Sequence, residues 1–173
     1  MNDTRVLYSK EKIAEHVKKL AEQINRDYEG KSVLILGTLT GSFIFLADLV
    51  RELTIDVEID FIKVSSYVST ESTGVINIEY TPTLNLVEKH ILIIEDIVDT
   101  GDTAVLLRQH LANCNAASVK LCVLLDKPAR RKIPDLVCEY VGFANVPNEF
   151  VVGYGLDCDQ KYRQLPYVGI LTN

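Results

Sequence analysis

Residue types that hold metals or disulfides are scarce in this sequence. Four cysteines and three histidines are scattered among its 173 residues, without a CxxC pair or an HExxH motif, and tryptophan is absent. Proteins bind zinc and related metals through closely spaced ligands of these types, so the sequence argues against a transition-metal site. Nothing indicates an oxidising compartment, and we expect the cysteines to be reduced thiols.

Long apolar runs and an excess of positive charge are also missing. No stretch approaches the ~20 apolar residues that span a bilayer, and the N-terminal residues lack the apolar run of a signal peptide. We therefore expect a cytoplasmic protein with no membrane partner. The formal net charge is −6, which argues against a nucleic-acid partner because such proteins need a basic face. A protein this acidic needs a metal ion or a few local cations to bind a polyanion.

What remains is the composition of an ordinary globular protein, with 47% hydrophobic and 24% charged residues. The chain contains no internal repeat, low-complexity tract or linker-like segment. A chain of this length buries roughly two thirds of its unfolded surface without disulfides or metals. We therefore predict one domain that spans residues 1–173.

Strand-like and helix-like apolar patterns alternate along the chain, which predicts an α/β fold with a mainly parallel central sheet flanked by helices. Helical spacing covers 9–28 and 43–53, and a third helical pattern follows position 103. Strands are predicted at 32–36, 57–66, 75–80, 91–94, 118–125, 137–141, 150–152 and 167–171. Because the segment 67–74 is polar and rich in Ser and Thr, it predicts a hairpin that could form a movable flap.

Most of the candidate chemistry lies in the stretch from 90 to 107. A buried strand ends in Glu95 and Asp96, Asp99 follows, and the segment TGDT at 100–103 leads into a helix. Ligands of open α/β sheets bind at the carboxyl ends of strands. Adjacent carboxylates suit Mg²⁺ or the vicinal hydroxyls of a ribose, although two solvated loop acids would give the same pattern. The glycine, the hydroxyls and the helix start predict a phosphate site, and the missing GxxxxGK excludes a P-loop.

The string EDIVDTGDT at 95–103, after four apolar residues, resembles the phosphoribosyl pyrophosphate motif of the type I phosphoribosyltransferases. The similarity extends from about 33 to 170 and points to the hypoxanthine-guanine branch. Matching segments follow in the order of that branch, namely LTGS at 39–42, SY at 66–67, LLDK at 124–127 and FVVGYGLD at 150–157. The resemblance implies the type I fold, with a small hood built from the N-terminal and C-terminal segments and a flexible flap. It also implies a homodimer or homotetramer.

The resemblance further implies the reaction, in which 5-phosphoribose passes from phosphoribosyl pyrophosphate to hypoxanthine or guanine, with Mg²⁺ as cofactor. Glu95 and Asp96 would hold the ribose hydroxyls and Mg²⁺, and Asp99 would exchange a proton at the purine N7. Four consecutive residues would surround the 5′-phosphate, namely Thr100, Gly101, Asp102 and Thr103.

For the purine, the resemblance implies that Lys127 donates to the 6-oxo oxygen, Phe150 stacks on the ring and the backbone of Val151 reads its edge. Asp157 would complete this purine site and bind a second Mg²⁺ or its water. The implied pyrophosphate site consists of Thr40, Gly41 and Arg163. The implied flap has Ser66 and Tyr67 at its root.

Taken without the resemblance, several of these residues have ordinary structural interpretations. Lys127 would be a solvated surface lysine and Phe150 a core aromatic. Asp157 and Arg163 would form a surface ion pair that contributes little to stability.

Two positions depart from the family pattern. Thr40 stands where a lysine or arginine is common, so this contact with pyrophosphate would rely on backbone N–H groups. Asp102 occupies a place often held by lysine, and a carboxylate there would repel a phosphate. We expect its side chain to turn outward and cap the following helix, while its N–H faces the ligand.

Two alternatives to a hypoxanthine-guanine enzyme stay open at this stage. The protein could prefer xanthine or belong to another phosphoribosyltransferase branch. The same fold also serves as a non-catalytic, ligand-sensing regulatory domain, although the acidic charge and the full set of candidate catalytic residues weaken that interpretation.

Overall fold

A computed structural model describes residues 4–69, 72–80 and 82–172 of the chain. The α-helices of these residues are α1 Lys10–Asp27, α2 Phe43–Glu52 and α3 Asp102–Ala112, and a short 3-10 helix covers Pro128–Arg130. The strands are β1 Thr4–Tyr8, β2 Ser32–Leu39, β3 Asp56–Ser69, β4 Ser72–Tyr80, β5 His90–Val98, β6 Ser118–Asp126, β7 Tyr140–Phe143, β8 Val151–Val152 and β9 Val168–Leu171.

The central sheet has six strands in the order β4-β3-β2-β5-β6-β7. Every neighbouring pair is parallel except β3 and β4, which confirms the predicted mainly parallel α/β fold. Strands β2, β5 and β6 are buried on both faces, as their unbroken apolar runs predict. Helices α1 and α2 pack on one face of the sheet, and α3 packs on the other.

Helix α1 shows how the local sequence selects its structure. The side chain of Ser9 caps the helix by accepting from the Lys12 backbone N–H at 3.3 Å. The apolar residues at spacings of three and four are buried, as the sequence predicts, namely Ile13, Val17, Leu20 and Ile24. Across the described ranges, no helix combines the length and the apolar character needed to cross a membrane.

A second, three-stranded antiparallel sheet in the order β1-β9-β8 joins the two ends of the chain. This sheet is the hood that the family resemblance implies. Strand β1 was not predicted, because its five residues carry no distinctive apolar alternation. It forms through pairing with β9, which lies at the other end of the sequence.

Strand β5 is longer than the sequence predicts. The prediction ended the strand at 94, before the paired acids, but Glu95 pairs with Val123 and Val98 pairs with Asp126 of β6. Glu95 and Asp96 therefore belong to the strand, and the loop begins only at Asp99. Polar residues at the end of a buried strand carry no apolar signal, so the sequence pattern placed its end too early.

Strands β3 and β4 form the predicted hairpin, in which Ser66 pairs with Ile76 and Tyr67 pairs with Val75. The residues that connect the two strands at 70 and 71, which belong to the predicted flap, lie outside the described residues. The side chains of Ser66 and Tyr67 lie outside them as well. The flap therefore remains a prediction.

Asp60 of β3 holds the chain segment that follows β4. One carboxylate oxygen accepts from the Phe61 N–H at 2.8 Å, and the other accepts from the N–H groups of Thr83 at 2.8 Å and Leu84 at 3.2 Å. Burial alone would raise the pKa of Asp60, but the hydrogen bonds from Phe61, Thr83 and Leu84 outweigh it and the pKa is lowered.

We predict that Asp60→Asn lowers the free energy of unfolding by about 1–3 kcal/mol at pH 7, because it turns amide donors toward backbone N–H groups that need an acceptor. A carboxylate with a lowered pKa stabilises the fold above its unfolded pKa, and the stabilisation is lost as the pH falls through the folded pKa. The difference between wild type and variant should therefore shrink below about pH 4. Urea unfolding at several pH values measures this.

Asp56→Asn is the matched control, since Asp56 is an exposed carboxylate on the same strand. A pH-independent difference for Asp60→Asn, or an equal loss in the control, would contradict this role of the Asp60 carboxylate.

Candidate active site

The predicted site residues converge on the carboxyl edge of the central sheet. Strands β2, β5 and β6 are parallel neighbours, so the loops that follow them emerge at the same edge. The C-terminal segment 153–163 folds over this edge from the hood. Residues that the sequence places far apart thus form one continuous region.

The loop after β2 is held in place by Ser42. Its hydroxyl donates to the carbonyl oxygen of Thr38 at 2.7 Å, and its carbonyl accepts from Leu46 N–H in the first turn of α2. The peptide bond between Leu39 and Thr40 is cis. The two hydrogen bonds of Ser42 hold Thr40 and Gly41 beside the end of β5.

Gly41 lies directly against Asp96 of β5. A Cβ atom at position 41 would stand 1.9 Å from Asp96 Oδ2, a distance that no real contact allows. Gly155 approaches from the other side, where its Cβ would stand 2.1 Å from the Gly41 carbonyl oxygen, and its φ of 103° favours glycine. Because Gly41 and Gly155 have no side chains, the predicted pyrophosphate loop lies directly against the Asp96 carboxylate on one side and the C-terminal segment on the other.

Arg163 and Asp157 form an ion pair next to this contact. Arg163 Nη2 lies 2.8 Å from Asp157 Oδ1, and Nη1 donates to the Gly155 carbonyl at 2.6 Å. The guanidinium also lowers the pKa of Asp96, whereas the Asp157 carboxylate raises it. The ion pair forms, but both side chains are partly buried, so it is less exposed than the surface pair that the bare sequence suggests.

Glu95 and Asp96 are adjacent acids, of which Glu95 is buried and Asp96 is half-buried. Burial raises the pKa of Glu95 well above its ordinary value, and the neighbouring Asp96 charge raises it further. Burial is also the main cause that raises the pKa of Asp96 to about 6. Among the described residues, Glu95 Oε1 has no hydrogen-bond partner. The interpretation of the two acids as solvated loop residues is therefore wrong, and Glu95 offers a free oxygen to a ligand.

A small cavity of about 110 Å³ lies between the end of β5 and the start of α3. Gly101, with a φ of 90°, immediately precedes the helix, and its carbonyl accepts from Val105 N–H at 3.1 Å. The cavity thus lies at a helix N-terminus, which favours an anion. Its lining includes three of the four predicted phosphate residues, Thr100, Gly101 and Thr103, together with Glu95 and Asp99.

Asp102 is the predicted phosphate residue that does not line this cavity. Its Oδ2 atom accepts from the Thr100 hydroxyl at 3.0 Å and from Lys132 Nζ at 2.7 Å. Gly101 rather than Asp102 is the N-cap of α3, and no side chain caps the helix. The side chain turns away from the cavity as expected, but the suggested capping role is wrong.

Asp99 stands at the mouth of the loop, facing the segment after β6. Arg130 Nε lies 3.0 Å from Asp99 Oδ1. The pair does not have hydrogen-bonding geometry, since Asp99 Oδ1 has no hydrogen-bond partner in the described part of the chain. The carboxylate is thus close to a cation and still able to accept a proton or a hydrogen bond.

Lys127 and Phe150 have surroundings opposite to those the bare sequence suggests. Lys127 is 4% exposed, and its ammonium donates to the Glu149 carbonyl at 2.6 Å. Burial lowers the pKa of Lys127, and the nearby Asp99 charge partly offsets this effect. Phe150 is 57% exposed, so its interpretation as a core aromatic is wrong. Val151 follows in β8, which is an edge strand of the hood sheet.

The family model described as the phosphoribosyl transferase domain matches residues 4–159. The chain belongs to the phosphoribosyl transferase family. It is 46% identical over 168 residues to a hypoxanthine-guanine phosphoribosyltransferase of Streptococcus pneumoniae, a match that covers 96% of this chain and 92% of the relative.

Solved structures of phosphoribosyltransferases have the same fold. A hypoxanthine-guanine phosphoribosyltransferase from Bacillus anthracis matches with a TM-score of 0.92 and 44% identity over 99% of both chains. A hypoxanthine phosphoribosyltransferase from Trypanosoma cruzi matches with a TM-score of 0.88 and 37% identity, covering 96% of this chain and 95% of that one. The type I phosphoribosyltransferase fold predicted from the sequence is confirmed.

Several residues of this phosphoribosyl transferase site were missed in the sequence. Thr38, at the end of β2, has a buried hydroxyl without a partner among the described residues. Gly155 closes the contact with Gly41, and Arg130 and Lys132 reach the phosphate loop from the segment after β6. A signal for the last two was available, since three consecutive cations at 130–132 are unusual in an acidic chain.

We predict that Gly41→Ala destabilises the phosphoribosyl transferase fold by about 1–3 kcal/mol, because the new methyl group overlaps the Asp96 carboxylate. The same change in an Asp96→Ala background should cost much less, since the overlapping atoms are gone. Chemical denaturation of the four proteins in this double-mutant cycle gives the coupling. An equal cost in both backgrounds would show that the methyl group meets something other than Asp96.

Proposed function

We propose that this protein is a purine salvage enzyme that transfers 5-phosphoribose from phosphoribosyl pyrophosphate to hypoxanthine or guanine. The products are the nucleoside monophosphate and pyrophosphate. The observation that carries the proposal is the convergence at one edge of the sheet of three features: a helix-terminal anion cavity, an Asp99 oxygen that accepts no hydrogen bond among the described residues, and the buried Lys127 ammonium. The named relatives act on the same substrate class.

The sugar phosphate fits the cavity at the start of α3. The 5′-phosphate would accept from the N–H groups of the loop at 100–103 and from the hydroxyls of Thr100 and Thr103. Glu95 lines the same cavity, and its Oε1 accepts no hydrogen bond in the part of the chain that the structure describes, so it can accept from a ribose hydroxyl. An acidic chain thus binds the phosphate mainly through backbone dipoles.

We assign Mg²⁺ as the cofactor. Within the described ranges, no three His, Cys, Asp or Glu side chains form a complete metal site. Mg²⁺ fits nevertheless, because it is usually held by one or two carboxylates, several waters and the phosphates of the substrate. Glu95 and Asp96 would hold one Mg²⁺, and Asp157 would bind a second Mg²⁺ or its water. The hard oxygens of these carboxylates suit this ion. When bound, Mg²⁺ would neutralise charge on the pyrophosphate.

In the reaction, the bond between the anomeric carbon and a pyrophosphate oxygen breaks, and purine N9 forms the new bond. Negative charge grows on the pyrophosphate as it leaves. Arg163, with the N–H groups beside Thr40 and Gly41, would bind that charge. The purine gives up one proton, and Asp99 would accept it at N7. The flap, rooted at Ser66 and Tyr67, would exclude water from the activated sugar.

The purine would bind between Phe150 and Lys127. Phe150 offers an exposed ring for stacking, and the edge strand that begins with Val151 offers backbone groups to the rim of the base. Lys127 would donate to the 6-oxo oxygen while keeping its bond to Glu149. Adenine should be rejected, because it presents an amino donor to the ammonium.

For the whole protein, we propose one domain spanning 1–173, a cytoplasmic location, and a homodimer or homotetramer. These assignments rest on the composition and on the family resemblance. Sedimentation velocity at several protein concentrations measures the assembly.

The activity itself is tested by a steady-state assay with hypoxanthine, guanine, xanthine, adenine and uracil, with and without Mg²⁺. We expect turnover of hypoxanthine or guanine only when Mg²⁺ is present. Adenine and uracil should not be turned over under either condition. Preference for xanthine would support the alternative enzyme. Ligand binding without release of pyrophosphate would support the regulatory alternative, which the named relatives do not favour.

We predict that Asp99→Asn lowers kcat by about 10²-fold or more, since the amide cannot accept the purine proton. The affinity for phosphoribosyl pyrophosphate should change far less. Asp135→Asn, on the exposed loop before β7, is the matched control and should leave kcat unchanged. Unchanged turnover of Asp99→Asn under saturating substrates would remove Asp99 from this role.

We predict that Lys127→Ala raises the KM for the purine more than the KM for phosphoribosyl pyrophosphate, because only the purine meets the ammonium. Lys127→Met keeps the volume of the buried side chain and should show the same selectivity. An equal loss for both substrates in both variants would indicate damage to the fold instead.

A further inference from the structure

The phosphate loop of this chain contains a negative charge at a place where the bound phosphate is also negative. Asp102 is the second residue after Thr100, and its carboxylate binds the Thr100 hydroxyl at 3.0 Å. Hydrogen bonds from Lys132 and Thr100 lower the pKa of Asp102, so it is ionised at neutral pH. An unpaired carboxylate here would oppose a phosphate dianion in the neighbouring cavity.

Lys132 pairs with this carboxylate from a distant part of the sequence. Its Nζ atom lies 2.7 Å from Asp102 Oδ2, the same oxygen that the Thr100 hydroxyl contacts. The backbone N–H of Lys132 also donates to the Thr100 carbonyl at 3.0 Å. Lys132 is therefore anchored to the loop by its main chain, and its ammonium reaches over the loop to Asp102.

The pair is not explained by stability alone. The Lys132 side chain is 64% exposed and the Asp102 side chain 35%, and exposed pairs contribute little to folding. The pair lies beside a cavity built for an anion, where one uncompensated charge changes the affinity directly. Its position therefore indicates an effect on ligand binding.

We propose that Lys132 is a positioning residue for the 5′-phosphate. It acts through Asp102, by neutralising a carboxylate that would otherwise repel the phosphate. The proposal rests on the proposed function, in which this cavity takes the phosphate of the sugar.

The proposal makes the effect of Lys132 conditional on Asp102. If Lys132 bound the phosphate itself, its loss would weaken binding whether or not Asp102 carried a charge. If it only supported the fold, its loss would alter both substrates alike. Only if Lys132 acts by neutralising Asp102 should its loss weaken binding of the phosphorylated substrate specifically. This weakening should disappear when Asp102 no longer carries a charge.

The experiment compares wild type, Lys132→Ala, Asp102→Asn and the double variant. For each protein, kcat and the KM values for phosphoribosyl pyrophosphate and hypoxanthine are measured, together with the Kd of ribose 5-phosphate by calorimetry. The Lys132→Ala change keeps the backbone N–H that contacts Thr100, and asparagine can still accept from the Thr100 hydroxyl. Lys132→Arg tests rescue, and Lys19→Ala, from an exposed pair with Glu15 on α1, is the matched control.

In Lys132→Ala we expect roughly a 3- to 10-fold rise in the KM for phosphoribosyl pyrophosphate and in the Kd of ribose 5-phosphate. The KM for hypoxanthine should be unchanged, and Lys132→Arg should restore wild-type values. In the Asp102→Asn background, the Lys132→Ala change should have no effect. High salt should reduce the difference in the single variant.

An equal effect of Lys132→Ala in both backgrounds, or no selective effect in the first, would overturn the proposal while wild-type turnover still supported the function. A wild type that neither turns over nor binds ribose 5-phosphate would overturn both. The control variant separates these outcomes from a general effect of losing a surface cation.

Discussion

The close approach of Gly41, Asp96 and Gly155 is the constraint on which the site depends. Parallel register brings the ends of β2, β5 and β6 to one level, but three loops can share that edge only if their backbones nearly touch. Any side chain at position 41 would displace the Asp96 carboxylate, and any side chain at 155 would displace the carbonyl of Gly41. The two glycines therefore allow the hood segment to close over two buried acids and exclude most of their water.

Burial raises the pKa of both Glu95 and Asp96, so their negative charges have an electrostatic cost that a bound cation would relieve. The protein places its own cations around the site instead of in it. Arg163 binds Asp157 and the Gly155 carbonyl on one side, and Arg130 approaches Asp99 on the other. A chain of net charge −6 thereby places a cation on each side of its buried acids.

Local patterns in the sequence were enough to predict the layers of the fold and the position of the phosphate loop. Unbroken apolar runs identified the central strands, and Gly101 with its neighbouring hydroxyls identified the turn into α3. The patterns failed where long-range packing decides the outcome. Glu95 looks like a loop acid because its strand is completed only by pairing with Val123. Phe150 looks like a core residue because its exposure depends on how the hood ends.

Local sequence patterns also fail to predict which acids the cations of the segment after β6 contact. Arg130, Arg131 and Lys132 are adjacent in sequence, yet they contact Asp99, Asp126 and Asp102 respectively. Which acid each one meets is set by the short 3-10 helix Pro128–Arg130, which turns the segment back toward the loop after β5. No local pattern encodes that direction.

Selection of the base would depend on the docking of the hood as much as on any single side chain. Lys127 directly follows β6 of the central sheet, whereas the Glu149 carbonyl that it contacts belongs to the segment leading into the hood. This hydrogen bond satisfies one of three ammonium donors and leaves two for a ligand. Stacking on Phe150 would favour any flat base, so discrimination has to come from the buried donor, whose direction the hood fixes. A hood displaced by an ångström would thus loosen specificity before it affected binding of the sugar phosphate, which the loop after β5 would hold by itself.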